Sequence, residues 1–249
     1  MSAAPLGGIP EVGVGVDLAG VLAAAAETVG GLRDGDILVV AHKVVSKAEG
    51  RVRHLSDVRP GEPARRLAAE QDKDPRHVQV VLDEAADLVR AERGVLICRT
   101  RHGFVCANAG VDASNAPTAG TVVLLPEDPD ASARRLRARL RDLTASAPAV
   151  LVTDSFGRAW RHGQSEVAIG CAGLSPLDDW RGRPDAGGRT LRATWIAVAD
   201  QVAAAADLAR AKDSREPAVV VRGLERHVTV QDGPGAATLL RGPAEDLFR

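Results

Sequence analysis

Residues 150–170, VLVTDSFGRAWRHGQSEVAIG, combine groups that could hold a metal ion and a phosphate. The apolar start predicts a buried strand, which we expect to break into a loop at Thr153. Ligands and metals gather at such strand ends, because loops there place charge on a rigid base. Asp154 and Ser155 offer hard oxygen ligands for Mg²⁺ or Mn²⁺, and Arg158 could hold a phosphate or a carboxylate. The alternative is a strand followed by an Asx-turn with solvated arginines.

A second polar segment, AHKVVSKAEGR, directly follows a short apolar run at residues 36–41 that predicts a strand. Its His42, Lys43 and Lys47 lie close behind the strand end, and lysines there suit a polyphosphate as mobile point charges. The segment is not a P-loop, because the glycines of GxxxxGK[ST] are missing. A solvated, lysine-rich turn is the alternative.

A third segment, CANAGVDASNAP over residues 106–117, places Asp112 and Asn115 three apart among small residues. Alanine and glycine allow close backbone approach to a ligand, and Asp112 could share one cation with Asp154. The alternative is that Asn and Asp only form turns.

The basic loop RAKDS at residues 210–214 could close over a nucleotide, but we favour an ordinary helix C-terminus with basic residues.

Composition limits the class of protein. The chain has 249 residues, a net charge of −1, no Tyr, three Phe and three Trp, so it can bury a sizeable core built from Val, Leu, Ala and Ile. The charge argues against a general nucleic-acid binder. Three cysteines in spacing unlike a metal site are expected to be reduced and buried in a cytosolic protein. No signal peptide and no membrane-spanning run is predicted.

Strand-like and helix-like patterns alternate along the chain and predict an α+β or α/β fold. The expected helices are residues 18–29, 65–71, 131–143 and 195–210. The expected strands are residues 36–41, 78–82, 95–99, 104–107, 121–125, 150–152 and 217–221.

Several motifs in one order carry a family resemblance. GGIPEV, VVSKAEGR, GVDASN, TDSFGR-WR-GQ-VAIG, D-GG-TL, AVAD-AAAADLA and VVVRG together resemble the coenzyme F420-0:L-glutamate ligase family, the gamma-glutamyl ligases of deazaflavin coenzyme biosynthesis. The resemblance covers nearly the whole chain. It implies one ligase domain over residues 1–249, which could form two lobes, with an α+β fold of mixed sheets and helices in an intertwined homodimer.

The resemblance also implies an activity. Family members use GTP and divalent cations to attach L-glutamate to the lactyl carboxylate of coenzyme F420-0, and then add further residues through gamma-linkages. The implied cofactors are Mg²⁺ or Mn²⁺, two per site, with K⁺ as a further candidate ion. The implied partners are F420-0, L-glutamate, GTP and a second copy of the chain, in the cytoplasm, without nucleic acid or membrane.

Site residues follow from the resemblance position by position. Asp112 and Asp154 match shared metal ligands, and Ser155 matches a ligand of the second metal. The positions matched to the nucleotide and its phosphates are Ile9, Pro10, Glu11, Val12, His42, Lys43, Lys47, Asn115, Lys212 and Ser214. Lys47 and Arg158 are the candidate catalytic residues.

The chain departs from the family pattern in three places. His42 stands where relatives usually have a hydroxyl residue, and Gln201 stands where many have Glu. The loop AKDSREP lacks the usual glycines. Two other functions therefore stay open: another metal- and nucleotide-dependent phosphoryl or acyl transferase, or a catalytically silent nucleotide-binding relative.

Overall fold

The computed structural model describes residues 1–246 and has the α+β architecture that the sequence predicts. The strands are β1 (Ser2–Pro5), β2 (Ile37–Ala41), β3 (Val52–His54), β4 (Ala85–Glu92), β5 (Val95–Thr100), β6 (Val105–Ala107), β7 (Thr121–Val123), β8 (Ala149–Arg158), β9 (Arg161–Ala172), β10 (Asp178–Asp179), β11 (Trp195–Ile196) and β12 (Ala218–Arg222). The helices are α1 (Leu18–Ala26), α2 (His42–Ala48), α3 (Glu62–Gln71), α4 (Pro75–Glu84), α5 (Pro129–Thr144) and α6 (Val198–Asp207).

The main sheet has five strands in the order β1-β12-β2-β8-β9. Strands β2 and β8 run parallel, and the other neighbours are antiparallel. Both faces of β2 are covered: Leu38 packs in a cluster with α1 and α5, while Val39 packs in a cluster with α6. This burial explains the uninterrupted apolar runs in β2 and β8, since a strand covered on both sides has no solvent face to fill with polar residues.

Two of the three smaller sheets build the rest of the core, and the third is the β10–β11 pair. Strands β4, β5 and β6 form one antiparallel sheet, and β3 pairs with β7. Helices α3 and α4 pack with these strands around Val81, Leu96 and Val122. Within residues 1–246, no helix is both long and apolar enough to span a membrane.

The prediction of a strand over residues 78–82 was wrong, because these residues lie in helix α4. Asp74 caps the helix by accepting a hydrogen bond from the backbone N–H of Arg76, and Pro75 occupies the first turn, where its missing N–H costs nothing. Val78 and Val81 are both buried, as helical spacing of three residues requires.

The expected break at Thr153 was also wrong. Strand β8 continues to Arg158 and forms a hairpin with β9, with a register shift between Val152 and Thr153. From Asp154 to Arg158 the strand is half-buried and then exposed, and its residues are polar or small except Phe156, which packs against the core. Burial on both faces no longer selects apolar side chains there. The expected helix over residues 195–210 is shorter than predicted: α6 spans Val198–Asp207, after the short strand β11.

Candidate functional site

The candidate site lies where the parallel strands β2 and β8 end at the same edge of the main sheet. Ala41, the last residue of β2, pairs with Thr153, and helix α2 begins immediately afterwards at His42. Asp154 is the next residue along β8. Parallel pairing thus brings together two polar segments more than 100 residues apart in sequence. Helix α2 presents three basic side chains there, and each of them contacts a carboxylate from a different segment.

The first contact joins His42 to Asp154. Nε2 of His42 lies 3.2 Å from Oδ1 of Asp154, and the imidazole is only 2 % exposed. Its Nδ1 atom lies 3.3 Å from the buried hydroxyl of Ser46. Oδ1 of Asp154 also accepts the backbone N–H of Ser155 at 2.8 Å. Among the described residues Nε2 makes no aligned hydrogen bond, so this buried nitrogen faces the carboxylate with unused hydrogen-bonding capacity.

The second contact joins Lys43 to Asp112. The ammonium group of Lys43 lies 2.5 Å from Oδ2 of Asp112 and donates to the hydroxyl of Ser114 at 2.7 Å. Burial tends to raise the pKa of Asp112, but hydrogen bonds from Lys43 and Ser114 outweigh it and hold that pKa below its ordinary value. The carboxylate is therefore ionised at neutral pH and has a cation beside it.

The third contact joins Lys47 to Glu11. Nζ of Lys47 donates to Oε1 of Glu11 at 2.5 Å. The lysine side chain is 8 % exposed, while that of Glu11 is 71 % exposed. The aliphatic stem of Lys47 is therefore buried, and its ammonium group reaches the surface beside Glu11. This differs from the solvated, lysine-rich turn that was the alternative. Glu11 belongs to the segment Ile9, Pro10, Glu11 and Val12, in which Val12 is buried and Ile9 packs against the core.

A fourth group of contacts was not predicted from the sequence. The hydroxyl of Ser155 donates to Oε1 of the buried Glu166 at 2.5 Å, across the β8–β9 hairpin. The ammonium of Lys212 donates to the same hydroxyl at 2.8 Å. Arg210 lies 3.5 Å from the other oxygen of Glu166 and 3.6 Å from Asp207. No local pattern in the sequence marked Glu166, because the hairpin register that places it opposite Ser155 is a property of the fold.

Three of the polar candidate residues are not part of these contacts. Asn115 is exposed and has a left-handed backbone with φ of 53°. Arg158 is exposed and donates to carbonyls within its own hairpin, at His162 and Gly163. Ser214 donates to the carbonyl of Ala211 at 2.9 Å.

Oxygen ligands for a cation are present at the site, although they do not converge on one point. Nowhere in residues 1–246 do three His, Cys, Asp or Glu side chains converge on one point as metal ligands. Asp112, Asp154 and Ser155 nonetheless offer two carboxylates and a hydroxyl, the hard donors that Mg²⁺ and Mn²⁺ prefer. Two of the three already have an ammonium group against them, from Lys43 and Lys212, so these oxygens stabilise positive charge in the folded protein. The donor set therefore fits these metals.

The cysteines behave as the sequence predicts. Cys98, Cys106 and Cys171 are buried and unpaired. Burial is the main reason that the pKa of Cys106 is raised to about 12, and the negative charge of Asp154 raises it further. These thiols are packing residues without nucleophilic character at neutral pH.

Comparison with known proteins agrees with the predicted resemblance. The family described as F420-0:gamma-glutamyl ligase matches residues 8–223. The chain is 46 % identical over 241 residues to a coenzyme F420:L-glutamate ligase of Methanopyrus kandleri, covering 96 % of this chain and 94 % of the relative. It is 42 % identical over 244 residues to the ligase of the same name from Methanothermobacter thermautotrophicus, covering 97 % and 96 %. The chain therefore belongs to the F420-0:gamma-glutamyl ligase family.

Proposed function

We propose that this protein joins L-glutamate to coenzyme F420-0 with GTP as co-substrate, and extends the product through gamma-linkages, as a step of coenzyme F420 biosynthesis. The observation that carries this proposal is the arrangement around α2. Three basic side chains of one short helix contact Asp154, Asp112 and Glu11 at the carboxyl ends of β2 and β8. The family description and the names of the relatives supply F420-0 and L-glutamate, and GTP is the nucleotide that the family resemblance implies.

The reaction that we propose passes through an acyl phosphate. A carboxylate oxygen of F420-0 attacks the γ-phosphorus of GTP, the bond to the β-phosphate oxygen breaks, and GDP leaves. The amine nitrogen of L-glutamate then attacks the acyl carbon, phosphate leaves with the bonding pair, and the nitrogen loses a proton to give the amide. Phosphoryl transfer of this kind needs charge neutralisation and in-line positioning more than a protein nucleophile.

The residues of the site have separate proposed roles in this reaction. Asp112, Asp154 and Ser155 would hold Mg²⁺ or Mn²⁺, which would neutralise charge on the phosphates. Lys43 and Lys47 would bind phosphate oxygens as point charges. Because Glu11 is largely exposed, releasing Lys47 to a phosphate leaves this carboxylate in water, where its charge is well solvated.

We also propose that the protein acts as a homodimer. Strand β4 is exposed along almost its whole length, including Leu88 and Val89, which are 41 % and 57 % exposed. Val95 and Val105 of the same sheet are also exposed, at 44 % and 48 %. Several exposed apolar side chains on one small sheet are typical of a surface that a second subunit covers.

Turnover by the purified protein tests the ligase proposal. Incubation with F420-0, L-glutamate, GTP and Mn²⁺ should give GDP and a coenzyme whose mass increases by whole glutamate residues. Without L-glutamate the amide should not form. GDP formation without any amide would favour another phosphoryl transferase. Nucleotide binding without turnover would favour a silent relative.

A further inference from the structure

The β8–β9 hairpin extends from the candidate site to a basic, aromatic end. We call residues 157–164, all of which are exposed, the hairpin tip. Trp160 lies in the turn of the hairpin and is 82 % exposed. Four residues of extended strand separate Asp154 from Arg158, so the end of the hairpin stands about 13 Å beyond the site.

The requirements of the turn do not explain a tryptophan at position 160. The backbone of Trp160 has φ of 59°, in the left-handed region, where turns favour Gly or Asn and a bulky side chain is an outlier. Most of the indole faces solvent, so burial of apolar area offsets little of this strain. Backbone strain of this kind concentrates at ligand-binding sites.

The other two tryptophans of the chain have structural surroundings. Trp195 is 47 % exposed, and the guanidinium of Arg181 lies 3.9 Å from the centre of its ring. Trp180 is half-buried and its indole N–H donates to Asp178 at 2.8 Å. Trp160 is therefore the tryptophan whose ring is most accessible to a ligand.

Two arginines give the hairpin tip a net positive charge. Arg158 and Arg161 are register partners next to the turn, and both are exposed. The guanidinium of Arg158 donates to the carbonyls of His162 and Gly163, which hold it along the hairpin. These acceptors are neutral, and the tip contains no Asp or Glu, so the two positive charges are not compensated within it. The tip therefore attracts an anionic ligand.

The place of the hairpin in the main sheet indicates which substrate it faces. Strand β2 lies on one side of β8, and β9 lies on the other side. Helix α2, which follows β2, carries Lys43 and Lys47, to which we assign the phosphates of GTP. Phosphoryl transfer needs the attacking and leaving oxygens roughly in line. If GDP leaves toward α2, the attacking carboxylate approaches Asp154 from the side of β9, where the hairpin stands.

We propose that the hairpin tip binds the deazaflavin end of coenzyme F420-0, with Trp160 stacked on the ring and Arg158 and Arg161 attracting the anionic substrate. The inference rests on the proposed ligase function. A deazaflavin is a planar fused aromatic ring, and an exposed indole stacks on such a ring without needing hydrogen bonds to it. The lactyl carboxylate, which reacts, then extends along the hairpin toward Asp154.

Equilibrium dialysis of coenzyme F420-0, with and without a non-hydrolysable GTP analogue, gives a direct test. Trp160→Gly should raise the Kd for F420-0 at least about fivefold, the lower end of what one stacked aromatic side chain contributes. Its thermal midpoint should equal that of the wild type or rise, because glycine adopts φ of 59° without strain. Trp160→Phe should recover part of the binding. Trp195→Ala is the matched control and should leave the Kd within about twofold.

Two further measurements separate the ring from the charge and from the nucleotide. Deazariboflavin, which carries the ring without the lactyl carboxylate, should compete with F420-0 for the wild type and bind Trp160→Gly at least about fivefold more weakly. The double variant Arg158→Gln with Arg161→Gln should weaken F420-0 binding and reduce its dependence on salt. The Kd of the GTP analogue should stay within about twofold in every variant, because the guanine base is not the ring bound here.

The outcomes separate this inference from the proposed function. If the wild type ligates glutamate but Trp160→Gly binds F420-0 as tightly as the wild type, the hairpin tip does not bind the ring. If Trp160→Gly weakens binding of the GTP analogue instead, the tip binds guanine and the proposal fails. If Trp160→Gly becomes monomeric with unchanged F420-0 binding, the tip is a subunit interface and the proposal fails. If the wild type turns over no substrate, the ligase function fails on its own, while deazariboflavin binding that depends on Trp160 would still support the hairpin tip.

Discussion

Nε2 of His42 lies 3.2 Å from Oδ1 of Asp154, and these two residues join the first turn of α2 to the end of β8. The same carboxylate oxygen accepts the backbone N–H of Ser155. Both contacts use Oδ1, which leaves Oδ2 as the oxygen available to a cation. The imidazole and the strand backbone therefore fix how Asp154 is presented to the site.

This arrangement predicts that Asp154→Asn keeps the fold and loses the activity. The amide oxygen of Asn can still accept the Ser155 N–H, so the thermal midpoint should change little. The anionic ligand is lost, so Mn²⁺ binding and ligation should both fall, with ligation nearly abolished. Mn²⁺ titration followed by calorimetry, beside the exposed control Asp142→Asn, measures the effect. Near-normal activity of Asp154→Asn in limiting Mn²⁺ would contradict the metal assignment.

Lys47→Met should weaken the use of GTP by at least about tenfold. Losing a charge-assisted phosphate contact costs roughly 1.5–3 kcal/mol, or about 10- to 150-fold in affinity or rate. Methionine is chosen because the lysine stem is buried, and alanine would add a packing defect. Lys43→Met is the comparison, since Lys43 is more exposed and contacts Asp112 instead of Glu11. If the GTP kinetics of Lys47→Met were unchanged, Lys47 would not bind the phosphates, and its role would be limited to the ion pair with Glu11.

Leu88→Glu should convert the proposed dimer into monomers. A charge at Leu88, an exposed apolar position of β4, cannot be buried against a second subunit without a large desolvation penalty. Light scattering should give about twice the 26.0 kDa chain mass for the wild type and a single chain mass for the variant. Val230→Glu, at a position 88 % exposed on another part of the surface, should stay dimeric. A compact, active wild-type monomer would refute the assembly.

The ion pair of Asp74 with Arg76 should make the free energy of unfolding depend on pH in acidic solution. Its hydrogen bonds to Arg76 lower the pKa of Asp74 from 3.8 to about 2 in the folded protein. A lowered folded-state pKa means that the stabilisation is complete above about pH 3.8 and is lost as the pH falls toward 2. Asp74→Asn keeps a capping oxygen and removes the charge, so it should be less stable than wild type at pH 7 and equal to it near pH 2. Urea unfolding at several pH values measures this, and a difference independent of pH would exclude the ion pair as its cause.

The sequence was sufficient for the parts of the protein that depend on local pattern and motif order. The apolar run of β2, the amphipathic helix α5 and the α+β class follow from periodicity and composition. The order of the motifs was enough to place the chain in its family, because several short matches in fixed sequence are far more specific than any one of them. The polar residues behind β2 were identified because basic side chains after a buried strand are chemically unusual.

Only the tertiary structure decided which of those residues meet. The parallel pairing of β2 with β8 puts His42 against Asp154, and no local pattern encodes a contact between segments so far apart. Local apolar content could not separate helix from strand at residues 78–82, where the Asp74 cap decided the outcome. Glu166 was missed because its partners, Ser155 across the hairpin and Arg210 after α6, are assembled by the fold. Burial of a charged side chain is a property of its surroundings, which only the folded chain supplies.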